Sequence, residues 1–151
     1  MDDLLFDRIS VDIPDEFEFA NAEECKHFFG MMQMDYAFLS KNNDGAFGVI
    51  RTASSLENEA VKSRVIEYQQ YYSRMVPGFK MGEMRINDQI GRNVAFFSYK
   101  SNAPTTDLFN LLAITTFEEK ELIFLFSCDF SVAFRYMYKF LRVLDSMSFA
   151  K

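Results

Sequence analysis

This chain of 151 residues has no tryptophan, one histidine, two cysteines and three prolines. Its 16 Lys and Arg are outnumbered by 22 Asp and Glu, for a formal charge of −6, and they nowhere form a basic run. Nucleic-acid binding needs a Lys/Arg footprint on phosphates, and an anionic membrane surface needs clustered cations, so composition argues against both partners. No apolar stretch approaches the ~18 residues of a membrane-spanning helix, which argues against membrane insertion. The acidic start, Met1-Asp2-Asp3-Leu4-Leu5-Phe6-Asp7, has neither the basic nor the apolar region of a signal peptide. There is no Asn-X-Ser/Thr sequon. Cys25 and Cys128 sit far apart in unlike settings, the pattern of free thiols in a reducing compartment. These absences together predict a cytoplasmic protein of bacterial type.

Catalytic chemistry is just as thinly supplied. His27 is the single histidine, and Cys25-x-His27 is the one pair resembling metal ligands or a nucleophile with its base. On a helix, residues i and i+2 diverge by about 200°, so the two do not converge on one ion or one proton. Acidic residues are frequent early in the chain, at Asp12, Asp15, Glu16, Glu18, Glu23 and Glu24. None is spaced as a calcium loop, and they read as a solvated acidic surface. No glycine-rich phosphate loop, Gly-x-Ser-x-Gly or His-Glu-x-x-His occurs. The expectation is no metal, no cofactor and no enzymatic activity.

What is abundant is aromatic core material, 18 Phe and 7 Tyr. A fold of this size buries roughly 69% of its extended-chain surface and needs no disulfide or metal staple. The length fits one domain, residues 1–151. The chain is organised around residues 94–144. Residues 93–99 (NVAFFSY), 108–117 (LFNLLAITTF) and 122–128 (LIFLFSC) are compact apolar runs whose length and composition predict strands. Glu118-Glu119-Lys120-Glu121 separates the last two as a charged hairpin turn. In the third run Leu122, Phe124 and Phe126 point one way, and Ile123 and Leu125 the other. Both faces are apolar, so this strand should be covered on both sides.

A helix follows, capped by Ser131 or Asp129. Ser131, Arg135, Lys139, Arg142 and Ser146 fall on one polar stripe. Ala133, Phe134, Met137, Phe140, Leu141 and Leu144 oppose it. Tyr136, Val143 and Met147 widen the apolar arc to about 200°, twice what a surface helix needs. Either the helix is deeply buried, or its extra flank meets a partner.

The earlier chain divides readily. Residues 8–13 alternate, with Ile9, Val11 and Ile13 inward, and read as an edge strand closed by Pro14. Residues 15–19 continue as extended chain, and Asn21 caps a short helix over 22–29 ending at Gly30. Residues 35–40 and 46–52 flank Lys41-Asn42-Asn43-Asp44-Gly45, a hairpin turn. Ser54-x-x-Glu57 reads as a capping box opening a long helix over 56–76, with Val61, Val65, Tyr68, Tyr72, Met75 and Val76 on its apolar arc and Pro77-Gly78 as its stop. Residues 79–86 are a further strand and 87–92 a turn. The predicted fold class is α+β, a layered α/β/α sandwich. It has a largely antiparallel sheet of about six to seven strands, two long helices and one short helix.

That order resembles the PsbP/DcrB-like fold, a superfamily that also includes a Ran-binding nuclear import factor. The resemblance rests on the opening strand ending at Ile13-Pro14, the long helix after a hairpin and the Gln89-Ile90-Gly91-Arg92 turn. The terminal helix after an aromatic strand completes it. It spans nearly the whole chain and implies a binding, assembly or chaperone role, in some members associated with secretion; it carries over no functional residue.

One oddity remains. In Phe28-Phe29-Gly30-Met31-Met32-Gln33-Met34, five of seven residues are large and apolar, and no helix or strand period buries them all. Flexible thioethers suit surfaces that repack around partners, though the same residues can plug the end of a core. Tyr68, Tyr71 and Tyr72 form a second candidate patch. The expectation is a non-catalytic module that binds a protein or peptide with an apolar segment, through Phe28, Phe29, Met31, Met32, Met34, Tyr136, Val143 and Met147. The alternatives are a small-ligand domain or enzyme with a pocket between sheet and long helix, and a self-assembling homodimer.

Overall fold

The computed structural model describes residues 2–30, 32–89 and 92–149. In chain order the strands are β1 (Asp2–Leu5), β2 (Ile9–Asp12), β3 (Phe17–Phe19), β4 (Tyr36–Ser40), β5 (Gly45–Ser55), β6 (Lys80–Gln89), β7 (Arg92–Asn102), β8 (Asp107–Phe117), β9 (Lys120–Asp129) and β10 (Ser148–Phe149). The helices are α1 (Lys26–Phe29), α2 (Val61–Met75) and α3 (Ala133–Ser146), the last two each led in by a 3₁₀ turn. Seven strands form one antiparallel sheet in the order β3-β4-β5-β9-β8-β7-β6, and β1-β2-β10 form a small second sheet. Among the described residues no helix is long and apolar enough to cross a membrane.

β9 is central, with β5 on one side and β8 on the other. Its two apolar faces are both covered, as two-sided burial requires. Phe124 and Phe126 join Phe47, Phe96 and Leu111 beneath α3 and the small sheet. Ile123 and Leu125 join Phe97, Leu112 and Ile114 beneath Leu56, Val61 and Val65 of the α2 side. The result is the layered α+β architecture read from the pattern.

Three local expectations are corrected. β2 is the middle strand of the small sheet, not an edge, although Ile9, Val11 and Ile13 do point into the core. Ser54 opens no helix. β5 runs on to Ser55, which pairs with Lys120, and the 3₁₀ turn Asn58–Ala60 comes before α2. Pairing with the central strand outcompetes a local cap that satisfies only two donors. The short helix is regular only over α1. Asn21 does not cap it but closes the turn ahead of it, Asn21 N–H to Glu24 Oε1 at 3.1 Å and Glu24 N–H to Asn21 Oδ1 at 2.8 Å, and α1 starts from Cys25 with no side-chain cap. Ile90 and Gly91 of the expected turn lie outside the described residues.

The hairpins follow turn chemistry. Asn43 in the β4–β5 turn adopts φ +59°. Glu118 and Glu119 join β8 to β9 with φ of +52° and +64°, the two positive values of a type I′ turn. The charged run is therefore half turn and half strand, and Glu121 belongs to β9.

α3 is fastened along its polar stripe. Arg135 meets Asp44 at 3.7 Å, Lys139 meets Glu16, and Arg142 meets Asp12 at 3.2 Å. Ser146 Oγ accepts the Asp12 N–H at 2.8 Å. The early carboxylates are therefore not a merely solvated surface: Asp12 and Glu16 hold α3 against the small sheet. Neither Ser131 nor Asp129 caps the helix. The Asp129 carboxylate faces the His27 imidazole instead, Oδ1 to Nε2 at 3.3 Å.

Candidate functional site

α2 lies over β6, β7 and β8 and stops short of the β4–β5 end of its sheet face. There the register places Ala37 beside Gly48, Gly48 beside Leu125, Ala46 beside Ser127, and Ser127 beside Asn110. Small and polar side chains leave this end of the face low. Cys25, Phe28, Phe29 and Met34 fill it. Cys25 and Phe28 are buried against Ala37, Ala46 and Leu108, with Phe29 and Met34 at the margin.

A cleft of about 270 Å³ opens between that segment and the C-terminal half of α2. Phe28, Phe29 and Met32 form one wall, and Tyr71, Tyr72 and Val76 the other. Tyr99, Asn110, Leu125 and Phe126 make the floor. The Tyr72 ring stands edge-on to Phe97 and Tyr99, with centroids 6.0 and 5.7 Å away. Burial pushes the Tyr72 and Tyr99 hydroxyls above the usual phenol range, so both stay neutral at physiological pH. The Asn110 amide is already used: it donates to Ser101 Oγ and accepts from Ser127 Oγ, both at 2.8 Å. The cleft thus presents apolar and aromatic surface with neutral hydroxyls.

Tyr71 also borders a shallower depression of about 350 Å³ with Arg64, Glu67 and Tyr68. The two concavities make a groove along α2, apolar at one end and charged at the other. Its charged end is anchored from below. Glu121 is 1% exposed and accepts from Arg64 Nη1 at 2.6 Å, Tyr68 hydroxyl at 2.9 Å and Thr52 Oγ1 at 3.1 Å. A wider bay of about 580 Å³ lies by the N-terminal end of α2, lined by Leu56, Glu57, Asn58, Glu59, Arg92, Thr116, Glu118 and Glu119, and is more polar than the cleft.

The predicted site residues separate. Phe28, Phe29 and Met32 reach the cleft, and Met32 is 40% exposed. Met34 packs on Gly48 instead. Met31 lies outside the described residues. Tyr136, Val143 and Met147 are corrected: all three are buried in the core. Burial of Tyr136, Phe140, Val143 and Leu144 sets the rotation of α3, turning that flank inward and leaving Phe134 (74% exposed) and Tyr138 (73% exposed) outside. Met75, expected on the apolar arc of α2, is also exposed. The tyrosine patch of α2, read separately from the residue 28–34 segment, faces it across the cleft. Tyr99 and Asn110 were missed, because each sits within a strand run and only the register brings it beneath the helix end.

No family model matches the chain, and no curated protein matches it. Solved structures do. Cyanobacterial PsbP (CyanoP) from Synechocystis is similar with a TM-score of 0.64 at 15% identity, over 93% of this chain and 86% of that one. PA94 from Pseudomonas aeruginosa, described as a putative regulator of unknown function, matches with a TM-score of 0.60 at 12% identity, over 98% and 95%. The Ran-binding protein Mog1p of Saccharomyces cerevisiae matches with a TM-score of 0.58 at 10% identity, over 98% and 94%. With helices on both faces of the seven-stranded antiparallel sheet, this chain has the PsbP/DcrB-like fold that Mog1p shares.

Proposed function

We propose that this chain is a non-catalytic protein-binding module, an adaptor or chaperone, that takes apolar side chains of an extended segment into the cleft between α1 and α2. The observation that carries this reading is the convergence of Phe28, Phe29 and Met32 with Tyr71, Tyr72 and Val76 on one open cleft. Thioether and aromatic walls adapt to several apolar shapes. The groove continues past Tyr71 to Arg64 and Glu67, which suits a segment longer than one residue. A compact small-molecule ligand is the weaker reading, since about 270 Å³ lies below the usual ~300–1,000 Å³ of such pockets. The Ran-binding activity of Mog1p, a neighbour in fold, is in keeping with a protein partner. We further propose a cytosolic setting, which the two free, buried thiols support.

The absence of tryptophan makes the test direct. Extended peptides rich in aliphatic residues, each carrying one tryptophan, are titrated with the protein and followed by fluorescence. Binding in the micromolar range is expected, weakened about tenfold or more by Met32→Glu or Tyr71→Glu with unchanged melting temperature. Peptide affinity indifferent to both substitutions refutes the site.

A further inference from the structure

α3 carries a second apolar surface, on the opposite face of the large sheet from the cleft. Phe130, Phe134, Met137 and Tyr138 are exposed, and half-buried Leu141 completes the stripe. Positions 134, 137, 138 and 141 follow the i, i+3, i+4, i+7 spacing of one flank of α3, and Phe130 extends the stripe from the 3₁₀ turn ahead of it. We propose that this stripe is the interface of a homodimer in which the α3 helices of two copies pack antiparallel across a two-fold axis. The inference does not rest on the function proposed for the cleft.

Charge selects the kind of partner. The cations around the stripe are each matched by a carboxylate of the same chain: Arg135 by Asp44, Lys139 by Glu16, Arg142 by Asp12, Lys100 by Asp107 at 3.1 Å and Arg85 by Glu83 at 2.6 Å. Phosphates and anionic lipid headgroups require uncompensated cations. A locally neutral apolar face requires another such face. It is also where two chains of charge −6 meet with least repulsion.

Area and shape select a second copy. Aromatic side chains bury 150–250 Å² each, so the exposed parts of the stripe amount to roughly 450 Å². A stable interface covers ~800 Å² per partner, a little over half of it apolar. The stripe supplies that apolar share. With Met137 and Tyr138 at the axis, Phe134 lies opposite Leu141 of the partner subunit. Beside Leu141 is a pit of about 90 Å³, walled by Leu144, Phe96, Arg85 and Asp145, of a size for one side chain. Phe134 is the projecting knob, and the pit is its hole. Knob meets hole twice, as a two-fold interface demands. The dimer presents its two clefts outward, so cargo with two apolar segments gains avidity.

Sedimentation of the full chain from about 1 to about 200 µM tests this. The parent is expected to dimerise with a micromolar or tighter Kd. Phe134→Glu and Tyr138→Glu should each yield a monomer with unchanged circular dichroism and melting temperature, since both side chains are exposed. A parent monomeric at the highest concentration overturns the proposal. So does a dimer indifferent to Phe134→Glu. Co-flotation of the parent with phosphatidylglycerol vesicles, abolished by Phe134→Glu, assigns the stripe to a membrane surface and overturns it too.

Discussion

Met34 rests on Gly48 so closely that a methyl group built on Gly48 would run into the Met34 thioether. Gly48 lies inside the large sheet, between Ala37 and Leu125, where glycine ordinarily weakens a strand. Its use here is close approach: it lets the segment after α1 sit down on the sheet and form one wall of the cleft. Gly48→Ala is expected to cost about 1–3 kcal/mol through overpacking. It should also lift the segment and expose Cys25, now buried, to a thiol reagent, while Cys128 stays protected. Combining it with Met34→Ala should recover part of the loss. Urea unfolding with mass mapping of modified thiols is the check; unchanged stability and protection would show that Met34 does not hold the segment.

The Arg64–Glu121 pair fastens the charged end of the groove. Arg64→Met leaves a buried carboxylate without its cation and should cost about 3–5 kcal/mol. Arg64→Met with Glu121→Gln should cost distinctly less, because the buried charge is gone. A double variant no more stable than the single one would place the penalty in packing of the arginine stem.

Alkaline pH should unfold the protein by linkage. Burial, then the 2.5 Å hydrogen bond to Asp44, pushes the Tyr136 hydroxyl from 10.0 up to about 12. Burial, then the charges of Asp129 and Asp44, pushes the Cys128 thiol from 9.0 up to about 12. The folded state holds these protons longer than the unfolded one. Their stabilisation is therefore complete below about pH 9 and is lost as pH rises towards 12. Urea midpoints measured at stepped pH should fall across that window, with phenolate absorbance rising together with loss of circular dichroism. Tyrosine ionisation completed well before unfolding would contradict the burial argument.

The β8–β9 turn holds two glutamates at positive φ, where only glycine, and less readily asparagine and aspartate, sit without strain. Glu119→Gly should stabilise by roughly 0.5–1 kcal/mol, provided the Glu119 carbonyl still accepts the Leu56 N–H at 2.9 Å. Glu118 is the wrong place for the change, since it bridges Arg8 and Arg51 at 2.8 and 2.7 Å. Thermal melting of the single variant decides the sign.

How far the sequence could be read depended on what kind of information each feature carries. Leu122 to Phe126 announced a strand covered on both sides because both period-2 faces are apolar, and β9 is that strand. The turn at Asn43-Asp44-Gly45 and the stop at Pro77-Gly78 were legible because backbone chemistry at those residues is local. Ser54-x-x-Glu57 misled because a cap is also local, and the longer-range pairing of Ser55 with Lys120 wins.

By itself, then, the sequence determined the α+β class, the order of the long helices and of the main strands, and the amount of apolar surface that had to be buried, since periodicity and turn residues encode these directly; β1 and β10, which flank β2 in the small sheet, went unread. Only the tertiary structure decided which surfaces stayed out. A helical wheel gives the width of the apolar arc on α3 but not its rotation. Core contacts with residues distant in sequence, Phe17 and Phe126 against Tyr136 and Phe140, set that rotation, burying Tyr136, Val143 and Met147 and exposing Phe134 and Tyr138. The cleft likewise depends on strand register, which places Tyr99, Asn110 and Leu125 under the end of α2, and on Gly48, which admits Met34. Register and helix rotation are fixed by contacts between residues far apart in the chain, and no local pattern records them.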